Sequence, residues 1–289
     1  MDLPPVYSAA SARAAGLTRG RLRGAVFLRL THDLVVRLDD AIDVRERLQL
    51  LATVLPPDAA YSHLTAAHLL GAHVDAPSKQ HVALTPRRVL PQRADFVVHA
   101  RQLLPADVVE VDGLRVTSGA QTFLDLAEHL PPAELVAAGD ALMLAKQLTT
   151  ETLAERLGRA DRVRGVVRAR VCAPLLTPKA MSRPESLVRY WLVESDLPDP
   201  QVQVPVRDRW GREVAHGDLG YEEWRLLLEY EGSRHATVEK FGSDIDRYWL
   251  MAADGFLVLR FAKRHLNRGT VVDRTGRALM SRGWRPTAR

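Results

Sequence analysis

The leucine-rich run at residues 224–230, closed by Gly232, restricts the fold more than any other stretch of this chain. It is short and ends abruptly, so it reads as a strand buried on both faces rather than as a helix. Side chains alternate along a strand, so Leu227, Glu229 and Glu231 share one face, which passes from apolar to doubly acidic in a single step of two. Two carboxylates beside an apolar floor lose hydration and repel each other, and a cation or strong donors must compensate. Asp218 lies on the preceding extended segment, 214–219, and Tyr221-Glu222-Glu223 is short enough to close an antiparallel hairpin that carries Asp218 towards Glu229. Oxygen ligands on adjacent strands, with positions left for water, suit Mg2+ or Mn2+. Taken singly, the same acids also fit a solvated strand end or a turn cap.

The flanking elements extend this reading. Ser182-Arg183-Pro184-Glu185 opens a helix as a capping box, so Glu185 either reaches back to the helix start or turns to the other acids. His235, four residues beyond Glu231 across Gly232, has an ordinary pKa of about 6.5 that suits proton transfer, and it also fits the head of a helix. Extended segments 201–206 and 213–219, the central strand, a helix over 237–253, a strand over 256–261 and a last helix from 270 give the order α-β-β-β-α-β-α.

An upstream helical Glu185, then Asp218, then Glu229-Tyr230-Glu231 at a strand end, Gly232 and His235 resemble the PD-(D/E)xK nuclease superfamily. With Asp246-Arg247 and the segment 255–260, residues 180–289 are most similar to its branch related to very-short-patch-repair endonucleases. That resemblance implies a metal-dependent DNA endonuclease. Asp218 and Glu229 would hold Mg2+ (or Mn2+), Glu231 would complete or orient the shell, His235 would act as base or acid, and Glu185 would position water. One such site per chain implies a nick by a monomer, or two cuts by a homodimer. Two departures are plain: Glu231 stands where most of the superfamily has lysine, and Cys172 is the only cysteine, so a structural zinc site does not carry over.

With 289 residues, of which 46% are hydrophobic and 26% charged, the chain has enough apolar material for two or three domains. No apolar run approaches the roughly 20 residues that span a bilayer, and the first residues lack a signal peptide's pattern, which predicts a cytoplasmic protein with no membrane partner. The net charge of +5 is modest, but arginine dominates the basic residues and clusters, which fits a polyanion such as duplex DNA as partner and equally fits the codon bias of a GC-rich genome.

Residues 7–38 read as a winged helix-turn-helix. Ser8 caps a helix through Ala15, Gly16 takes the left-handed turn, Thr18 caps a second helix over 19–23, and 26–38 alternates as a two-stranded wing. Thr18, Arg19, Arg21 and Arg23 offer donors to the major groove, although an ordinary surface helix pair would look alike. The stretch 12–22 resembles the winged-helix start of AbiEi-type antitoxins of type IV toxin-antitoxin systems, and 43–165 resembles the region that follows it there. In that region helices are expected over 44–54, 61–70 and from 117, with strands at 81–85, 96–99 and 114–116. His63, His68, His73 and His81 fit no compact ligand set by spacing and read as packing or surface histidines. Six arginines between 156 and 170 predict a basic helix and then a linker, either a solvated face or a track for phosphates.

The expected architecture is mixed α+β in three parts: a winged helix-turn-helix over 1–40, an α/β middle domain over 41–170, and a nuclease core over 180–289. The leading expectation is a DNA-directed endonuclease; its rival is a transcriptional autorepressor or antitoxin whose nuclease-like part only binds.

Overall fold

The computed structural model describes residues 6–18, 20, 27–29, 34–37, 44–75, 77–90, 96–207, 210–232 and 247–286. The chain divides into two compact units: residues 1–71 with 75–125, and residues 72–74 with 126–289.

The first unit begins with β1 (Val6–Ser8) and α1 (Ala9–Ala14), followed by β2 (Phe27–Arg29) and β3 (Leu34–Arg37). These strands form an antiparallel sheet in the order β1-β3-β2. Ser8 Oγ accepts from Ser11 N at 3.0 Å and Gly16 has φ +75°, so the expected cap and left-handed turn are both present. The expected second helix, with Arg19, Arg21 and Arg23, lies outside the described residues.

Beyond α2 (Val44–Ala52), a mixed five-stranded sheet runs β6-β5-β4-β8-β7. Its strands are β4 (Ala60–Tyr61), β5 (Gln80–Leu84), β6 (Phe96–Ala100), β7 (Val108–Val111) and β8 (Leu114–Thr117). Helices α3 (His63–Leu69) and α4 (Gly119–Leu126) follow β4 and β8. Here the expected helix over 61–70 is corrected to start at His63: Tyr61 is a strand residue, its fully buried ring donating through the hydroxyl to Leu48 O at 2.6 Å. β7 was not foreseen, yet Asp112 and Gly113, with φ +50° and +77°, close a two-residue hairpin of the kind that Asp-Gly favours.

The second unit starts with helices α5 (Pro132–Leu144), α6 (Thr150–Gly158), α7 (Val166–Cys172) and α8 (Arg183–Val193). The continuous basic helix expected between 155 and 170 is two helices. The chain breaks at Gly165, φ +80°, where a Cβ would meet the backbone of Ala127 at 2.5 Å. Three of its six arginines are used internally: Arg168 donates to Ala127 O and Leu130 O at 2.9 and 2.8 Å, Arg170 to Leu157 O at 3.0 Å, and Arg156 is buried, whereas Arg159, Arg162 and Arg164 are exposed. Guanidinium groups spent on helix-end carbonyls are withdrawn from a phosphate track.

A four-stranded sheet follows, with β9 (Gln201–Arg207), β10 (Glu213–Tyr221) and β11 (Leu226–Glu231) antiparallel and β12 (Leu257–Ala262) parallel to β11. A helix described over 247–253, here α9, precedes β12, and α10 (Arg268–Ser281) closes the unit, capped by Asn267. From α8 onward the order is the expected α-β-β-β-α-β-α. Leu226 and Leu228 pack with Val188, Leu192 and Leu279, while Leu227 packs with Val204, Val206 and Met251, so β11 is buried on both faces. That is why three consecutive leucines, Leu226 to Leu228, sit at the sheet centre.

Candidate functional site

Three of the expected acids converge. The hairpin turn at 222–225, with Arg225 at φ +49°, sets Leu219 opposite Leu228 and Gly220 opposite Leu227, and the same register carries Asp218 to Glu229. Asp218 Oδ2 accepts from Tyr230 N at 3.2 Å. Glu185, from the first turn of α8, lines one small recess with Asp218 and Glu229, floored by Leu219, Leu228 and Phe261. Both oxygens of Glu185 are engaged locally, accepting from Met181 N at 2.9 Å and Ser182 Oγ at 2.7 Å, which is the capping role the sequence left open.

Electrostatics follows from burial. Desolvation raises the pKa of Glu185, Asp218 and Glu229 alike; Asp218 raises its two neighbours further, and Arg247 opposes the rise at Asp218 and Glu229. A carboxylate with a raised folded pKa binds more protons folded than unfolded, so stability falls as pH rises through that window and grows as pH falls. The second unit should therefore gain stability between pH 7 and pH 5 from these groups, and Asp218→Asn with Glu229→Gln should flatten the gain. Tryptophan fluorescence during urea unfolding reads this unit alone, because all five tryptophans lie in it. Equal pH slopes for the two proteins would refute the assignment.

The compensating cation is an arginine to which the sequence pattern assigns no role. Arg247, the first described residue of α9, donates through Nη2 to Glu229 Oε2 at 2.6 Å. Tyr248 donates to Glu231 Oε1 at 2.9 Å and lies 3.3 Å from Glu229 Oε2, while Arg260 pairs with Glu231. Arg247 and Arg260 both lie against the Tyr248 ring, with centroid distances of 5.3 and 4.6 Å. Burial and Glu229 push the Tyr248 hydroxyl up to about 12, so it remains a donor across the physiological range. Adjacent Arg247-Tyr248 on a helix was the one sequence signal for this network.

Chemically, the site is three acids of raised pKa, with Arg247 bonded to Glu229, and Asp218 and Glu229 are the residues that would hold a divalent ion. Oxygen donors for Mg2+ are present, and Arg247 competes with the ion for Glu229. Glu185, Asp218 and Glu229 do not gather into a trio with one donor atom each within 4.8 Å of the others. His235 lies outside the described residues, as do Arg19, Arg21 and Arg23; Thr18 is exposed just beyond the Gly16 turn. Among the described residues no helix is long and apolar enough to cross a membrane.

Residues 59–175 match the family model of the AbiEi antitoxin C-terminal domain, a span that ends before α8 and the acids. Over 193 residues the chain is 29% identical to uncharacterized proteins of Mycobacterium tuberculosis, MT2308 of strain CDC 1551 / Oshkosh and Rv2248 of strain ATCC 25618 / H37Rv. Each alignment covers 65% of this chain and 68% of the relative. Among solved structures, the RV2827C protein of Mycobacterium tuberculosis is similar with a TM-score of 0.43 and 16% identity, over 64% of this chain and 76% of that one.

Proposed function

We propose that this chain is a DNA-binding transcriptional regulator and antitoxin of a type IV-like toxin-antitoxin pair, with a C-terminal part that binds rather than cuts. The observation that carries this reading is the AbiEi antitoxin C-terminal domain at residues 59–175. In this reading the chain has three functional parts: a winged helix-turn-helix over 1–40 that docks on duplex DNA as a monomer or homodimer, the antitoxin domain over 41–170, and a nuclease-like part over 180–289. The site agrees with it physically. Arg247 and Tyr248 meet Glu229 through Oε2, and Tyr248 and Arg260 meet Glu231, so charge in the cluster is offset from within the protein, as a carboxylate cluster kept for packing requires.

Binding to duplex DNA from the chain's own promoter region tests it. Replacing Arg19, Arg21 and Arg23 together by alanine should weaken binding and flatten its salt dependence, by about 0.9 in the slope of log affinity against log salt per lost phosphate contact. An unchanged slope would move the DNA contact elsewhere, and no duplex binding at all would remove the regulator reading.

A second reading is kept because Glu185, Asp218 and Glu229 line one recess. In it the C-terminal part is a Mg2+- or Mn2+-dependent endonuclease that nicks one strand, with Asp218 and Glu229 as ligands, Glu231 supporting them, Glu185 placing water and His235 moving the proton. Plasmid nicking decides: chelator should abolish it, Asp218→Ala should abolish it, and His235→Ala should lower single-turnover cleavage by roughly 100-fold. Intact plasmid in Mg2+ and in Mn2+ sinks the second reading and leaves the first.

A further inference from the structure

The sequence scatters His63, His81 and His99 over three elements of the first unit, and the fold stacks them. β5 and β6 run parallel with His81 opposite Val97 and Ala83 opposite His99, so the two histidines share a face, offset by one step of two. The Nδ1 of His81 lies 3.0 Å from Nε2 of His99. At the start of α3, His63 lays its ring on His99, with centroids 3.7 Å apart and planes 20° apart, and on His81 at 5.4 Å. His63 is 1% exposed and has φ +52°, a left-handed conformation that a non-glycine residue keeps only where its surroundings impose it.

We propose that His63, His81 and His99 form a binding site for a divalent transition-metal ion of the zinc type, with a fourth position open to water or an anionic group. One ring nitrogen from each lies within 4.8 Å of the other two. Tetrahedral Zn–N bonds of about 2.0–2.1 Å set donor atoms roughly 3.3 Å apart, so the 3.0 Å pair already stands near coordination spacing, while the His63 ring must turn from its stacked position on His99 to aim a nitrogen at the ion. One supporting contact of the kind that orients metal-binding imidazoles is in place: His63 Nδ1 lies 3.0 Å from Ser62 Oγ. The backbone N of His81 donates to Thr65 Oγ1 at 2.9 Å, which ties the start of α3 to β5. Three neutral imidazoles select zinc, cobalt or nickel over magnesium, which prefers oxygen, so this site and the carboxylate cluster differ in their metals. The proposal stands on its own geometry and not on the regulator or nuclease reading. Under this proposal His68 and His73 are not members, and the third ligand would be His99, from a strand distant in sequence.

Calorimetry on the chelator-treated full-length chain with Zn2+ alone is the test, with Co2+ absorption as a second readout. One Zn2+ per chain should bind more tightly than about 1 µM, Mg2+ should neither bind there nor compete, and Co2+ should give the visible bands of a low-coordinate nitrogen site. His99→Phe keeps a ring in the stack, and His63→Asn tolerates the left-handed backbone; each should weaken Zn2+ by at least about 100-fold. Zn2+ binding to His99→Phe or His63→Asn as tight as to the parent overturns the proposal. If both variants fail to fold, the parent decides: no Zn2+ bound more tightly than about 10 µM, or an octahedral Co2+ spectrum, overturns it equally.

Discussion

Arg189→Met is expected to destabilise the second unit by about 3–5 kcal/mol, the usual effect of leaving a buried charge without its partner. Asp140, on α5, has a side chain 1% exposed, and Arg189, on α8, donates to its two oxygens at 2.9 and 3.3 Å. Ser186 Oγ and Thr177 N complete the carboxylate's shell at 2.7 and 2.8 Å. Burial holds the Asp140 pKa above its ordinary value even with the guanidinium present, and methionine would drive it higher. The sign follows: a raised folded pKa means that stability is recovered as pH falls, so the variant's deficit should shrink between pH 7 and pH 5. Asp140→Asn on the Arg189→Met background removes the charge while keeping an acceptor for Thr177 N, and should restore most of the loss. Urea unfolding followed by tryptophan fluorescence measures all three proteins. A loss under about 1 kcal/mol for Arg189→Met would mean that water reaches Asp140 and that the α5–α8 contact rests on apolar packing alone.

Much of the sheet that carries the acids was legible because its signals are local. A leucine run ended by glycine makes a doubly buried strand, and the short link from Tyr221 makes the hairpin that aligns Asp218 with Glu229. The Ser8 cap and the Gly16 turn were legible for the same reason. What stayed hidden depended on partners far along the chain. α5 is buried on nearly every side, from Leu135 to Met143, so it shows no amphipathic stripe, and its one buried charge, Asp140, makes sense only beside Arg189. The arginines from 156 to 170 look alike in sequence; only the break at Gly165 and the carbonyls that Arg168 and Arg170 reach distinguish those two from the exposed Arg162 and Arg164. The acids could be located by pattern, yet whether a metal or a guanidinium neutralises them turns on where Arg247 folds, 18 residues beyond Glu229.

That choice can be forced by removing the guanidinium. Arg247→Leu should destabilise the second unit by about 1–3 kcal/mol, the range for a buried group that loses its partner, and below the Arg189 effect because the Arg247 side chain is 34% exposed. Glu229 is 3% exposed, and its Oε1 makes no hydrogen bond among the described residues, so Arg247 and Tyr248 carry its stabilisation through Oε2. Without the guanidinium, the Glu229 pKa, already raised by burial, rises further, so the deficit should be larger at pH 7 than at pH 5. The two functional readings then separate in Mg2+. If the acids are a packing cluster, millimolar Mg2+ leaves the parent and the variant unchanged. If they are a metal site, Mg2+ stabilises both by mass action, and the variant more, since the competing arginine is gone; Asp218→Asn should then erase the effect. A parent protein whose urea midpoint rises in Mg2+ and falls back with Asp218→Asn would turn the proposal from regulator towards nuclease, whereas a Mg2+-blind midpoint in Arg247→Leu would mean that the arginine stands in no ion's place.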